Sequence, residues 1–110
     1  MNQVAAYIQA IQNLKEYEES LRTHGAKVIE TLIAKLLEAC KKGETTSHIY
    51  LASHLPDPMK SALKRGDDFK RWHKVLKYLT EEYKTFNLRF CSVDDDDYDY
   101  RITITIKNLE

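Results

Sequence analysis

At 110 residues the chain is sized for one domain that buries roughly two-thirds of the surface its unfolded form exposes. Seventeen Lys and Arg balance seventeen Asp and Glu, and only three Gly and two Pro are present, which excludes a disordered or low-complexity chain. Met1 to Ala10 lacks both a basic start and a sustained apolar run, and no 18-residue apolar window occurs, so a cytoplasmic protein without signal peptide or membrane span is expected.

The first predicted element is an amphipathic helix over 2–22. Val4, Tyr7, Ile11, Leu14 and Leu21 fall at alternating spacings of three and four, with Glu18 interrupting the series and Ile8 widening it. Such a stripe either covers the rest of its own domain or forms a short coiled-coil seam in a homodimer. Thr23-His24-Gly25 predicts a break, and a second helix is expected over 26–42. Val28, Ile29, Leu32, Ile33, Leu36, Leu37 and Cys40 give that helix a broad apolar face, as befits a central helix. Lys41, Lys42 and Gly43 suit its C-terminus, cations meeting the negative end of the dipole and Gly the left-handed cap.

Thr45 to Ala52 carries β-branched and aromatic residues and predicts one short strand. Asp57 then serves as an N-cap and Pro58 as a first helical residue, where its missing N–H costs nothing. The short helix that follows ends at Gly66, and Asp67 or Asp68 caps the next. In that third helix Phe69, Trp72, Leu76, Leu79, Tyr83 and Phe86 recur at threes and fours, with Val75 beside them. Leu88 to Val93 and Tyr98 to Lys107 read as two strands. In the second, Tyr98, Tyr100, Ile102, Ile104 and Ile106 alternate with polar residues, the period-two signature of a half-buried strand. Asp94 to Asp97 lies between them as an acidic hairpin tip.

From residue 26 onward the order is helix, short strand, helix, Gly-containing turn, helix, strand, acidic turn, strand. This order resembles the winged helix-turn-helix family over residues 26–107, and the single domain is expected to be α+β. Helices pack with a small antiparallel sheet and a C-terminal hairpin, and residues 1–23 form an extra N-terminal helix. The resemblance implies that Met59 to Arg65 is the second helix, Phe69 to Phe86 the recognition helix and Leu88 to Lys107 the wing. It also implies that Val4, Tyr7, Ile11, Leu14 and Leu21 belong to an appended dimerisation element. In one respect the chain departs from the family: wings that touch DNA carry Lys or Arg at the tip, and here four Asp stand in a row.

Charge decides the functional expectation. Residues 60–89 hold nine Lys and Arg against four Asp and Glu, whereas 90–110 hold six acids against two bases. Two opposite electrostatic faces are expected, a property of a binder. Lys70, Arg71, Lys74 and Lys77 avoid the apolar positions of their helix, and three of them share one stripe. Lys60, Lys64 and Arg65 extend the patch, and Tyr78 is placed to stack on a base. A convergent row of cations suits nucleic-acid phosphates, and the family lays this helix in the major groove. The expected partner is therefore nucleic acid, most simply DNA in a regulatory setting. The sequence pI of 6.9 falls short of the strongly basic footprint usual for such domains.

An alternative places the activity in the acidic tip. Asp94, Asp95, Asp96, Asp97, Tyr98 and Asp99 could imitate a nucleic-acid backbone or dock on a basic protein surface, as a phage or mobile-element inhibitor would. Asp95, Asp97 and Asp99 match the first alternating ligands of an EF-hand loop, but Tyr100 and Ile106 occupy its Gly and Glu positions, so no calcium site is expected. Cys40, His48 and His54 match no zinc spacing. Both cysteines are expected to be buried and inert, Cys40 on an apolar helix face and Cys91 in a strand. The expectation is a non-enzymatic protein with no cofactor, metal or small-molecule substrate.

Overall fold

The computed structural model of the chain describes residues 2–93 and 96–107. Helix α1 runs unbroken from Gln3 to Lys41. At its start the Asn2 side chain accepts a hydrogen bond from the Val4 amide at 2.9 Å. At its end Gly43 takes a left-handed φ of 83° while its amide donates to the Cys40 carbonyl, the cap that glycine makes without steric cost.

The predicted break at Thr23-His24-Gly25 is overturned, and the reason is packing. Gly25 is buried where α1 crosses the third helix. A Cβ added there would lie 2.7 Å from Leu79 Cδ1 and 3.3 Å from Trp72 Cζ3. Glycine serves here as a point of close approach between two helices. Its neighbours do not unwind the backbone either, because Thr23 Oγ1 donates to the Glu19 carbonyl at 3.0 Å and His24 Nδ1 meets the Ser20 carbonyl at 2.9 Å.

The remaining elements follow in the predicted order. Strand β1 spans Thr46–Tyr50, a 3-10 turn covers Leu51–His54, α2 spans Asp57–Lys64 and α3 spans Phe69–Glu82. A second 3-10 turn, Lys84–Phe86, ends at Asn87, whose φ of 51° stops the helical path. Helix α3 is thus shorter than its apolar series predicts, and Phe86 is left exposed. Strands β2 (Leu88–Val93) and β3 (Asp99–Thr105) complete a three-stranded antiparallel sheet of order β1-β3-β2.

Alternation in β3 sets the packing. Tyr100, Ile102 and Ile104 are buried, and the register places Ile49 of β1 opposite Ile102 and Leu88 of β2 opposite Ile104. One sheet face thus joins Val28, Ile29, Leu32 and Leu36 of α1 and Trp72, Val75, Leu76 and Leu79 of α3 in one core. Cys40 and Cys91 are both exposed, contrary to expectation. Cys40 lies beyond the last buried position of α1, Leu36, and Cys91 is opposite Arg101, on the outward side of β3.

The same core explains the molecule's length. Its long axis measures 63 Å, close to the ~58 Å of a 39-residue helix at 1.5 Å per residue. Residues 3–16 of α1 are exposed throughout and the core begins near Tyr17 and Leu21. Leu21 belongs to the interior of its own domain, so it is withdrawn from the predicted intermolecular seam.

Candidate functional site

Helix α3 buries Trp72, Val75, Leu76 and Leu79, which leaves the opposite side of the cylinder to Lys70, Lys74 and Lys77. All three are exposed and make no ion pair among the described residues. Their spacing of four and three lines them up along successive turns, and Glu81 follows at the next position of that stripe. The row is three cations long and ends in a carboxylate.

Three of the other predicted cations, Lys64, Arg65 and Arg71, are paired. Arg71 Nη1 donates to Asp68 Oδ1 at 2.8 Å, and the Asp68 side chain is only 3% exposed. Its second oxygen accepts from the Tyr17 hydroxyl of α1. Arg71 also lies 5.7 Å from the Tyr17 ring. Asp68 is the N-cap residue of α3, yet its side chain makes no capping hydrogen bond, because both oxygens are committed to this cluster. Burial, then the hydrogen bond and the charge of Asp68, push the Tyr17 hydroxyl up to about 12. Arg71 is therefore a structural cation tying α3 to α1. Arg65 Nε pairs with Asp67 at 3.1 Å, and Lys64 faces Asp97 at 3.7 Å. Lys60 is half-buried on α2.

Two opposite electrostatic faces were expected, but the basic and acidic segments meet. The Tyr98 amide donates to the Lys64 carbonyl at 3.4 Å, and the Tyr98 ring lies against Gly66 so closely that a Cβ there would sit 2.7 Å from Cε2. With φ at +88°, Gly66 meets two demands that only glycine satisfies: a left-handed turn between α2 and α3, and room for the tyrosine. Phe69 completes the seat, 5.0 Å from Tyr98 and stacked 4.8 Å from Tyr100. Asp97 and Tyr98, which lead into β3, are thereby folded onto the α2–α3 turn. Asp96 and Asp97 are exposed there, while Asp94 and Asp95 lie outside the described residues. Asp99 is turned inward, its Oδ1 accepting from the Ala52 amide at 2.9 Å and the Tyr100 amide at 2.7 Å.

Tyr78 is 47% exposed and carries the Arg22 guanidinium 4.5 Å from its ring centroid. Arg22, from α1, is a cation that sequence reasoning missed. Its only signal was a place on α1 whose relation to α3 cannot be read without the tertiary fold. No group of three or more His, Cys, Asp or Glu able to hold a metal occurs among the described residues. Among them, too, no helix is long and apolar enough to cross a membrane.

Compared with protein-family models, curated proteins and solved structures, the chain finds no match in any of the three. The described residues form three α-helices and a three-stranded antiparallel sheet.

Proposed function

We propose that this chain is a small nucleic-acid-binding protein of winged-helix type, a duplex-DNA binder with a regulatory rather than catalytic role. The observation that carries the reading is the row Lys70, Lys74 and Lys77, exposed on the outward stripe of α3 with no carboxylate partner among the described residues. Three ammonium groups on successive turns suit consecutive phosphates. The element order and the sheet order β1-β3-β2 support placing α3 as the recognition helix. Lys64, Arg65 and Arg71 play a lesser part than their charge suggests, since each is already paired.

Fluorescence anisotropy with short duplex DNA, single-stranded DNA and RNA, titrated over salt, tests this. On duplex, three phosphate contacts at about −0.9 each give a log–log slope near −3. The Lys70→Glu/Lys74→Glu variant should weaken binding by about 100-fold at low salt, with unfolding unchanged. Absence of binding by the unaltered protein at low salt would discard the proposal.

A second reading, docking of the acidic tip on a basic protein, is supported by the exposure of Asp97 and of Tyr98 at 49%. It expects the mutational pattern to invert: Asp96→Asn/Asp97→Asn loses the partner, and the lysine reversals do not.

A further inference from the structure

Residues 3–16 of α1 extend from the domain and are exposed throughout, with no other described element packed against them, yet they are not polar all round. Val4 is 64% exposed, Tyr7 68%, Ile8 60%, Ile11 38% and Leu14 53%, all on one side of the helix. Together they bare on the order of 500 Å² of apolar surface, the size of patch that marks an interaction site on a soluble protein. An isolated helix of this length is marginal in water and owes its persistence to packing of its apolar side. We propose that this overhang pairs with the same overhang of a second copy of the chain, in antiparallel orientation.

The sequence of the overhang selects the occupant. No Asp, Glu, Lys or Arg occurs before Lys15, so the face carries no side-chain charge to attract an acidic or basic partner or an anionic membrane. An identical face meets no like-charge repulsion. Two such faces together bury on the order of 1,000 Å², near the lower limit of a specific interface. Association at micromolar rather than nanomolar concentration follows.

Orientation comes from continuity along α1. Positions 4, 11, 18, 25 and 32 form one row at seven-residue spacing, and 7, 14, 21 and 28 another. The members beyond residue 20, Leu21, Gly25, Val28 and Leu32, are buried in the domain, and Gly25 lies directly against Leu79 and Trp72 of α3. The bare stripe is thus the continuation of the face that α3 already covers. A partner helix in parallel orientation would run into α3. In the antiparallel orientation the two overhangs overlap end to end, Val4 of one copy facing Leu14 of the other and Tyr7 facing Ile11, with the two domains at opposite ends.

Sedimentation velocity of the full chain over a range of concentration tests the pairing. A monomer–dimer equilibrium in the micromolar range is expected. Ile11→Glu should raise the dissociation constant by at least about 100-fold. The buried Trp72 fluorescence and the thermal midpoint should show that the domain of that variant remains folded. Orientation is tested with Cys40 and Cys91 replaced by Ser. Under oxidation Val4→Cys/Leu14→Cys should give a covalent dimer, whereas Val4→Cys alone should not. A chain monomeric at ~100 μM, a dimer indifferent to Ile11→Glu, or cross-linking by Val4→Cys alone would each overturn the proposal. So would a monomer that binds neutral phosphatidylcholine vesicles through the overhang. None of these outcomes depends on whether α3 binds nucleic acid.

Discussion

Two sets of cations stand on the α2–α3 surface, and they differ in what they face. Lys70, Lys74 and Lys77 point to solvent, whereas Arg71 closes on the buried carboxylate of Asp68 and Lys64 and Arg65 pair with Asp97 and Asp67. In sequence the six look alike, all basic and all within fourteen positions. What separates them is one turn of helix: Arg71 sits on the flank of α3 nearest α1, within reach of Asp68 and Tyr17. A charge run is therefore a census of side chains. The field they present to a ligand depends on which carboxylates the fold brings alongside.

The sharpest test of the division is Arg71→Ala against Lys74→Ala. Removing Arg71 leaves Asp68, 3% exposed, with the Tyr17 hydroxyl as its one side-chain partner among the described residues. A buried carboxylate that loses its cation costs about 3 kcal/mol, here moderated because the Arg71 side chain is 44% exposed. A loss of about 2–3 kcal/mol, or roughly 10 °C in thermal midpoint, is expected by Trp72 fluorescence. Lys74→Ala should change stability by less than about 0.5 kcal/mol. Equal stability losses in the two variants would erase the distinction.

A smaller effect tests the same cluster through pH. Burial, with the hydrogen bond and charge of Asp68, pushes the Tyr17 hydroxyl up to about 12, and burial alone does the same to Tyr100. An unfolded tyrosine ionises near 10. Between about pH 10 and 12 the unfolded chain therefore releases phenolic protons that the folded chain retains. The stabilising contribution is complete below pH 10 and falls as pH rises through the folded values. Urea midpoints measured from pH 9 to 11.5 should decline, and Tyr17→Phe should flatten part of the decline. A Tyr17→Phe variant with an unchanged alkaline slope would remove Tyr17 from the account.

These tests address features of unequal legibility. The alternation of β3 was readable because every second residue, Tyr100, Ile102 and Ile104, meets the core, and nothing tertiary competes with that pattern. The α2–Gly66–α3 turn was readable because a left-handed backbone almost demands glycine. Gly25 misled for the same reason. Locally it has the composition of a break, and only the presence of Leu79 and Trp72 across 47 or more positions explains a glycine inside a helix. Asp68 was legible as a cap but not as the acceptor of the Tyr17 hydroxyl, since Tyr17 lies 51 residues away. For the candidate site, exposure of Lys70, Lys74 and Lys77 followed from helical spacing. The seating of Asp97 beside Lys64 did not, because it depends on Tyr98 finding the bare backbone of Gly66.

That seating supplies the finest test of the two cation sets. The Lys64–Asp97 pair is 3.7 Å long with both side chains substantially exposed, so it contributes less than about 0.5 kcal/mol to stability. Asp97→Asn should leave the thermal midpoint unmoved while releasing Lys64 from its carboxylate. If α3 and the adjoining turn face a phosphate backbone, the freed lysine becomes a fourth contact. The salt dependence of duplex binding should then steepen by about 0.9, with tighter binding at low salt. An unchanged slope would mean that the ligand path stops at Lys70 and never reaches the turn. A weaker affinity would mean that the acidic tip itself makes the contact, and the division between engaged and available cations would no longer describe the binding face.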